Sequence, residues 1–325
     1  MEVFQESATK NANPSVQPVA SVVVISDYKV GTSIAWDDLK ATLRGLAAQD
    51  FGEPVEYIFL ENVKHRDRIP PDLTRILPGL KIIFSTLELQ YALKSEAASV
   101  AHAEIVILLD ADCAPAPDWL RHMIQTMRLP SRPAVVSGRT LYQGRNLLER
   151  CSALLERAYV DRFRSARTKT ISNNNAAFRR SVLRAHPLPL DAGPFASRMH
   201  AEAIMRDGGQ LSVEPRARVT HAYYGWQMER DIRRHKGYSR IVTRRLDPNV
   251  PFAVLGRLGY LAIPLIFGGS LMQSWCKSFL FYRDYGIRWY QFPALILFAI
   301  VLHGLEIPGI IRAIHGRPIT KSHYR

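Results

Sequence analysis

The chain has 325 residues, of which 47% are hydrophobic and 22% charged, and its formal net charge is +14. This composition is typical of a globular protein with one or two domains and excludes an intrinsically disordered chain. Three cysteines, Cys113, Cys151 and Cys276, are too few and too scattered for a disulfide framework or a zinc site, which favours a reducing compartment. Because no apolar stretch opens the chain, we expect no signal peptide and interpret residues 1–17 as a flexible tail.

The charge is unevenly distributed along the chain. Residues 1–112 hold 10 basic and 16 acidic side chains, whereas the remainder holds 33 basic and 13 acidic ones. A strongly basic half is typical of proteins that meet nucleic acid, a phosphorylated ligand or an acidic membrane, although a solvated basic surface has the same composition. Two apolar stretches within this basic half favour the membrane.

The first half alternates strand-like and helix-like segments. Short apolar runs predict strands at Ala20–Ile25, Val55–Leu60, Leu80–Phe84 and Glu104–Leu109. Helical spacing of apolar residues predicts one helix around Leu39–Ala47 and another over Tyr91–Ala103. This alternation predicts an α/β fold with parallel strands, whose ligand should bind at the carboxyl ends of the strands.

The fourth predicted strand runs directly into Asp110-Ala111-Asp112. Two carboxylates that leave a buried strand are costly unless a cation meets them, and side chains at i and i+2 of an extended segment share a face. Mg²⁺ and Mn²⁺ are commonly held by one or two carboxylates together with substrate phosphates. We therefore predict a divalent metal site at Asp110 and Asp112; a chance triplet that caps a turn is the alternative.

Four short segments then follow one another in order. They are Val106–Asp112 (VILLDAD), Pro117–Leu120 (PDWL), Asn173–Arg180 (NNNAAFRR) and, after Gly208, Pro215–His221 (PRARVTH). Over about residues 20–240, this ordered set resembles the family 2 glycosyltransferases. The resemblance implies the A-type nucleotide-diphospho-sugar transferase fold, a mixed, mainly parallel sheet flanked by helices. It also implies a nucleotide-diphospho-sugar donor and a divalent metal, Mg²⁺ or Mn²⁺.

The resemblance implies donor-binding roles for three acidic residues. Asp110 would contact the ribose of the donor or the metal, and Asp112 would hold the metal on the diphosphate. Glu61, at the end of the second strand, matches the acidic residue that helps bind the nucleoside. A helix cap or a solvated acid remains the alternative for Glu61.

The resemblance also implies an acceptor side and a base. The segment from Asn175 to Arg180, including Arg179, would line the acceptor side, although a turn and two surface charges are the alternatives. His221 is expected to be a structural histidine, with a diphosphate or metal contact as the second possibility. A transfer with inversion needs a base for the acceptor hydroxyl. The family's acidic pair after A-F-R-R is missing here, so we expect Glu202 to be the base, with Asp191 in reserve.

The C-terminal part contains the two apolar stretches, Leu258–Met272 and Phe292–Leu302. Each reaches the ~20 residues of a membrane span only by including polar positions, so each is either a span or an interfacial helix, and buried core helices are the alternative. We divide the chain into a catalytic domain at 18–245 and a membrane-associated helical hairpin with a basic tail at 246–325. Basic residues flank the pair, Arg240, Arg244, Arg245 and Arg257 before it and Arg312, Arg317, Lys321 and Arg325 after it. This predicts both ends, and the catalytic domain, on the cytoplasmic face of the cell membrane.

The sequence as a whole predicts an enzyme that transfers a sugar to a glycan or lipid-linked acceptor at an anionic membrane. A nucleic-acid-binding protein would explain the charge, but no recognition motif occurs, so we expect no nucleic-acid partner. A dinucleotide-dependent oxidoreductase is disfavoured because no G-x-G-x-x-G follows the first strand. A catalytically inactive scaffold of the same fold remains the alternative, because the acidic pair is missing.

Overall fold

The computed structural model describes residues 17–26, 33–142, 146–161, 168–190, 196–221 and 226–317, so most of the predicted tail lies outside the described part of the chain. The strands are β1 (Ala20–Ile25), β2 (Val55–Asn62), β3 (Lys81–Ser85), β4 (Ile105–Asp110), β5 (Cys113–Pro115), β6 (Val135–Tyr142), β7 (Asn175–Arg179) and β8 (Leu211–His221). The helices are α1 (Ser33–Ala47), α2 (Leu73–Ile76), α3 (Gln90–Val100), α4 (Trp119–Met127), α5 (Leu147–Asp161), α6 (Arg180–Ala185), α7 (Ala196–Arg206), α8 (Trp226–Leu246), α9 (Ala262–Phe281), α10 (Phe292–Gly304) and α11 (Ile307–Ile314).

All eight strands form one sheet in the order β3-β2-β1-β4-β7-β6-β8-β5. Neighbouring strands are parallel from β3 to β4 and between β6 and β8, whereas β7 is antiparallel to both its neighbours and β5 is antiparallel to β8. The predicted mixed, mainly parallel sheet is confirmed. The carboxyl ends of β1, β2, β4, β6 and β8 therefore lie together with the amino end of β7, and we call this the site edge.

Helices cover both faces of the sheet. Along β1, Val22 and Val24 point into one apolar cluster and Val23 and Ile25 into the other, as the two-residue period of a strand requires. Helices α1 and α4 supply the first cluster, and α3, α6 and α7 supply the second. Burial on both faces explains why β1 and β4 are continuous apolar runs in the sequence.

The C-terminal helices pack against α5 and α8. Leu154 of α5 lies in one cluster with Phe298 of α10, and Ile241 of α8 lies in another with Ile310 of α11. The α8–α11 contact is so close that a Cβ at Gly309 would lie 1.8 Å from the carbonyl oxygen of Arg234. The predicted domain boundary after residue 245 thus separates helices that share clusters.

One helical segment among the described residues, Trp289–Ile314, is long and apolar enough to cross a membrane, with a mean hydropathy of 2.2. Of its most apolar window, 44% is buried inside the protein, and core helices of soluble proteins can have the same length and composition. The other predicted run lies mainly in α9, which does not reach this apolarity. The predicted hairpin therefore has one candidate span in the described part of the chain.

Candidate active site

The chain enters the site edge at the end of β4. Asp110 is the last residue of β4, and the amide of Ala111 then donates to the carbonyl oxygen of Ile25, 2.9 Å away, at the end of β1. Two residues later β5 begins, with Cys113 paired to His221 at the end of β8. Asp112 is therefore held between β4 and β5, beside the last residue of a strand that is almost 110 positions away in sequence.

Asp112 and His221 form the centre of the candidate site. The Nε2 atom of His221 lies 3.0 Å from Oδ2 of Asp112, and the two residues are 7% and 3% exposed. Together with Cys113 they offer three ligand atoms that all lie within 4.8 Å of one another. A distance of 3.0 Å is that of a hydrogen-bonded pair. It is also close to the separation of about 3 Å between adjacent ligands of an ion bound at ~2.1 Å, so the pair is compatible with Mg²⁺ or Mn²⁺. The thiol of Cys113 is a softer ligand than these ions prefer.

Asp110 is held by a cation from α3. Oδ1 of Asp110 lies 2.6 Å from Nζ of Lys94, and Nε2 of Gln90 donates to its other oxygen at 3.5 Å. Burial raises the pKa of Asp110 above its usual range; the positive charge of Lys94 opposes this increase, and the Asp112 carboxylate adds to it. Lys94 therefore opposes the protonation of Asp110 that burial favours.

Glu61 reaches the site edge from β2. It is fully buried, and its Oε1 accepts a hydrogen bond from the amide of Asn62 at 2.7 Å. The adjacent 3₁₀ turn is capped by Asn62, whose Oδ1 accepts from the amide of Lys64. Glu61 is therefore neither the cap of this turn nor a solvated surface acid. Because only β1 separates β2 from β4, Glu61 lies about 10 Å from the β4 backbone.

Asn175, at the amino end of β7, connects this strand to α4 and to β8 by side-chain hydrogen bonds. Its Oδ1 accepts a hydrogen bond from Nε1 of Trp119 at 2.8 Å, and its Nδ2 donates to the carbonyl oxygen of Ala217 at 3.2 Å. A Cβ at Gly138 would lie 2.4 Å from this Nδ2, so a glycine is needed there. These contacts give Asn175 a structural role, and its role on the acceptor side stays a prediction.

Arg179 and Arg180 lie at the opposite edge of the sheet. Because β7 is antiparallel to β4, Asn175 pairs with Leu109 near the site edge, whereas Arg179 pairs with Ile105 at the start of β4. Arg179 donates to Glu104 and Arg180 to the carbonyl oxygen of Ala101, both before β4. Their predicted acceptor-side role disagrees with this placement, since the length of β4 separates them from Asp110.

The sequence model of glycosyl transferase family 2 matches residues 23–186, about half of the chain. The chain belongs to glycosyl transferase family 2. No curated protein sequence matches it. Among solved structures, the mannosyltransferase PcManGT from Pyrobaculum calidifontis, in complex with GDP-Man and Mn²⁺, superimposes with a TM-score of 0.59. The identity is 16%, and the match covers 97% of this chain and 92% of that chain, so the two share a fold.

The candidate base of this family 2 protein lies on α7. Glu202 is 23% exposed, and its Oε1 accepts from Nε of Arg198 at 2.9 Å, one helical turn earlier. The first turn of α7 is tied to the site edge, because Nδ2 of Asn173 donates to Oγ of Ser197 at 3.0 Å. The reserve candidate, Asp191, lies outside the described residues.

Two residues of the site were missed or ranked second by sequence reasoning. His221 was expected to be structural, yet β8 places its ring against Asp112. The sequence does contain a signal for Lys94, because a lysine within the alanine-rich segment of α3 lies on a buried helical face and a buried charge requires a partner. The partners in the pairs His221–Asp112 and Lys94–Asp110 lie far apart in the sequence, so neighbouring residues do not reveal either pair.

Proposed function

We propose that this family 2 protein is an inverting, divalent-metal-dependent glycosyltransferase that uses a nucleotide-diphospho-sugar donor. The observation that carries the proposal is the buried Asp112–His221 pair at the site edge, whose two possible ligand atoms lie 3.0 Å apart. The carboxylates of Asp110 and Glu61 lie on neighbouring parts of the same edge, where the nucleoside would bind. In open α/β sheets, ligands bind at this edge.

Each residue has a distinct role in the proposed reaction. Glu61 and Asp110 bind and orient the nucleoside and its ribose, and Asp112 and His221 would hold Mg²⁺ or Mn²⁺. When bound, the ion neutralises charge on the departing diphosphate. The hydroxyl oxygen of the acceptor forms a bond to the anomeric carbon of the donor sugar, and Glu202 accepts the proton that this hydroxyl loses. The bond from that carbon to the diphosphate breaks, and the nucleoside diphosphate leaves.

We further propose that the protein attaches to the membrane surface through its C-terminal helices. Four large apolar side chains, spaced by four or seven residues, form an exposed stripe along α9 and the turn before it: Leu261, Leu265, Met272 and Phe279. Residues at this spacing share one side of a helix. Trp289 and Leu297, which are 77% and 62% exposed, add to the apolar surface.

Interfacial attachment explains the packing better than a complete span. Helix α10 has 13 residues, and at 1.5 Å per residue it is about 20 Å long, shorter than the ~30 Å of a hydrocarbon core. It ends before Glu306, which is buried beside Arg233 and Arg240 of α8. Because α8 is rich in charged residues, it and the α11 helix packed on it belong outside the hydrocarbon. The basic residues around the apolar helices favour the cytoplasmic face and an anionic membrane.

The metal site can be tested by two substitutions and one control. Asp112→Asn and His221→Gln should each lower Mn²⁺-dependent hydrolysis of nucleotide sugars at least ~100-fold, in a panel of UDP- and GDP-sugars, because the first removes the negative charge of one ligand and the second removes the imidazole ligand. His122→Gln is the control, since Nε2 of His122 pairs with Asp118 at 3.2 Å on α4, away from the site edge. Undiminished Mn²⁺-dependent turnover in Asp112→Asn would exclude the proposed site.

A further inference from the structure

The thiol of Cys113 faces the Asp112–His221 pair. Cys113 and His221 are directly paired residues of the antiparallel strands β5 and β8, so their side chains project from the same face of the sheet. The thiol donates a hydrogen bond to Oδ1 of Asp112, with 3.6 Å between sulfur and oxygen. Each of the three residues offers one ligand atom, and all three atoms lie within 4.8 Å of one another. The sulfur is therefore part of the candidate metal site by position.

The surroundings of Cys113 hold its sulfur in this orientation. The residue is fully buried, and it packs in the apolar cluster that α1 and α4 supply. In the turn before β7, Nδ2 of Asn174 donates a hydrogen bond to Sγ of Cys113 at 3.7 Å. Oδ1 of the same amide accepts a hydrogen bond from Thr140 at 3.4 Å, which fixes the direction of the amide. Residues that orient a ligand atom in this way are common behind the ligands of metal sites.

A thiol, an imidazole and a carboxylate together suit a thiophilic ion. Zn²⁺ binds all three ligand types, whereas Mg²⁺ and Mn²⁺ prefer oxygen ligands. In a tetrahedral site with bonds of ~2.3 Å to sulfur and ~2.0 Å to oxygen, these two ligand atoms are about 3.5 Å apart. The sulfur of Cys113 and Oδ1 of Asp112 are 3.6 Å apart. Catalytic zinc sites have three protein ligands and one open position, which an oxygen of the donor diphosphate would take here.

We propose that Cys113 is a third ligand of the metal site and gives it a preference for thiophilic ions, Zn²⁺ above all, over Mg²⁺ and Mn²⁺. Binding replaces the thiol proton: a bond forms between sulfur and the ion, the S–H bond breaks, and the proton passes to water. Sites of nitrogen and oxygen ligands also bind Zn²⁺ more tightly than Mn²⁺, so the contribution of Cys113 is the part of the preference that its substitution removes. The inference rests on the proposed function, because it concerns the metal site of that function.

Titration of the metal-free, full-length protein with Co²⁺ tests the sulfur ligand without turnover. Co²⁺ takes the same ligands as Zn²⁺, and a cobalt–thiolate bond gives a charge-transfer absorption in the near ultraviolet. We expect this absorption in the wild-type protein and its loss in Cys113→Ser. Cys276→Ser is the control, because it removes an exposed thiol on α9 and should leave the absorption unchanged. Wild-type protein that binds Co²⁺ without this absorption, or an absorption that persists in Cys113→Ser, overturns the proposal.

Competition between Zn²⁺ and Mn²⁺ measures the preference, since electron paramagnetic resonance detects the free Mn²⁺ that Zn²⁺ displaces. Cys113→Ser should lower the ratio of Zn²⁺ affinity to Mn²⁺ affinity at least ~100-fold, because even residues behind the ligands contribute ~10–100-fold to metal affinity. His221→Gln should weaken the binding of both ions. An unchanged affinity ratio in Cys113→Ser overturns the proposal. If Cys113→Ser does not fold, the doubly substituted Cys151→Ser, Cys276→Ser protein decides by its Co²⁺ absorption, because Cys113 is then the only cysteine.

Metal-dependent hydrolysis of nucleotide sugars is measured on the same samples, so that the two proposals can fail separately. Intact hydrolysis by wild-type protein, together with bound Co²⁺ that lacks the charge-transfer absorption, overturns Cys113 as a ligand and leaves the proposed function standing. The absorption without any metal-dependent hydrolysis supports Cys113 as a ligand and overturns the proposed function.

Discussion

Nζ of Lys94 lies 2.6 Å from Oδ1 of Asp110, and the two side chains are only 2% and 5% exposed. The pair connects α3 to the last residue of β4, at the centre of the site edge. A buried ion pair is weak evidence for stability, because desolvation offsets the attraction between the charges. Breaking it from one side has a much larger effect, since the remaining charge is buried without compensation.

We expect Lys94→Met to destabilise the protein by about 3–5 kcal/mol near pH 8, as for other broken buried pairs. Without the lysine, the already raised pKa of Asp110 rises further. A carboxyl whose folded pKa exceeds its unfolded value loses its stabilising contribution as pH rises, so the destabilisation should be smaller at pH 5. Urea unfolding at both pH values measures it, and Lys94→Met with Asp110→Asn should recover part of the loss.

Glu202→Gln should lower sugar transfer about 10² to 10⁴-fold, because the amide cannot accept the proton of the acceptor. Donor binding should persist, since the proposed donor contacts lie on β2 and at the end of β4. Asp207→Asn is a matched control just beyond α7, where the 68% exposed carboxylate pairs with His186. Near-normal transfer in Glu202→Gln beside an inactive Asp191→Asn protein that still binds donor would assign the base to Asp191.

The stability of the protein should fall in mild acid because of His200. This side chain is 1% exposed and stacks on Phe178 with ring centroids 5.6 Å apart, and burial lowers its pKa to about 4. The folded state therefore binds fewer protons than the unfolded state between pH 4 and 6.5. This contribution is complete above pH 6.5 and is lost as pH falls to 4, by about 3 kcal/mol. His200→Leu should remove this part of the urea-unfolding pH dependence.

Gly309→Ala should destabilise the C-terminal helices, because its Cβ would meet the backbone of α8 at 1.8 Å and one helix must move. We expect a loss of about 1–3 kcal/mol or more, the usual effect of overpacking. Gly268→Ala is the control within α9, since a Cβ there has nothing within 4 Å and alanine favours a helix by about 1 kcal/mol. Thermal unfolding should move in opposite directions for the two variants.

Leu265→Lys should weaken sedimentation with vesicles of anionic phospholipid without lowering thermal stability. Leu265 is 54% exposed on the α9 stripe, so a lysine there disrupts membrane burial and leaves the core intact. Leu129→Lys, at a 45% exposed position after α4, makes the same chemical change outside the C-terminal helices. Equal sedimentation of the two variants and the wild-type protein would contradict attachment through this surface.

Several features follow from the sequence alone because their causes are local. A buried parallel strand is a continuous apolar run, so β1, β2, β3 and β4 were predicted close to their observed bounds. The order of four short segments was enough to indicate the family, which the family match confirms. The position of Asp110 and Asp112 at the carboxyl end of a strand also follows from adjacent residues.

Other features were decided by the tertiary structure, because they depend on which strands and helices become neighbours. The antiparallel direction of β7 places Arg179 at the edge opposite to Asp110, although Asn175 of the same strand lies beside the site. The pairing of β5 with β8 places His221 against Asp112. Glu306 lies within an apolar run and forms ion pairs with Arg240 and Arg233, which are 66 and 73 residues earlier in the chain. A buried charge requires a partner, and only the folded chain determines which residue supplies it.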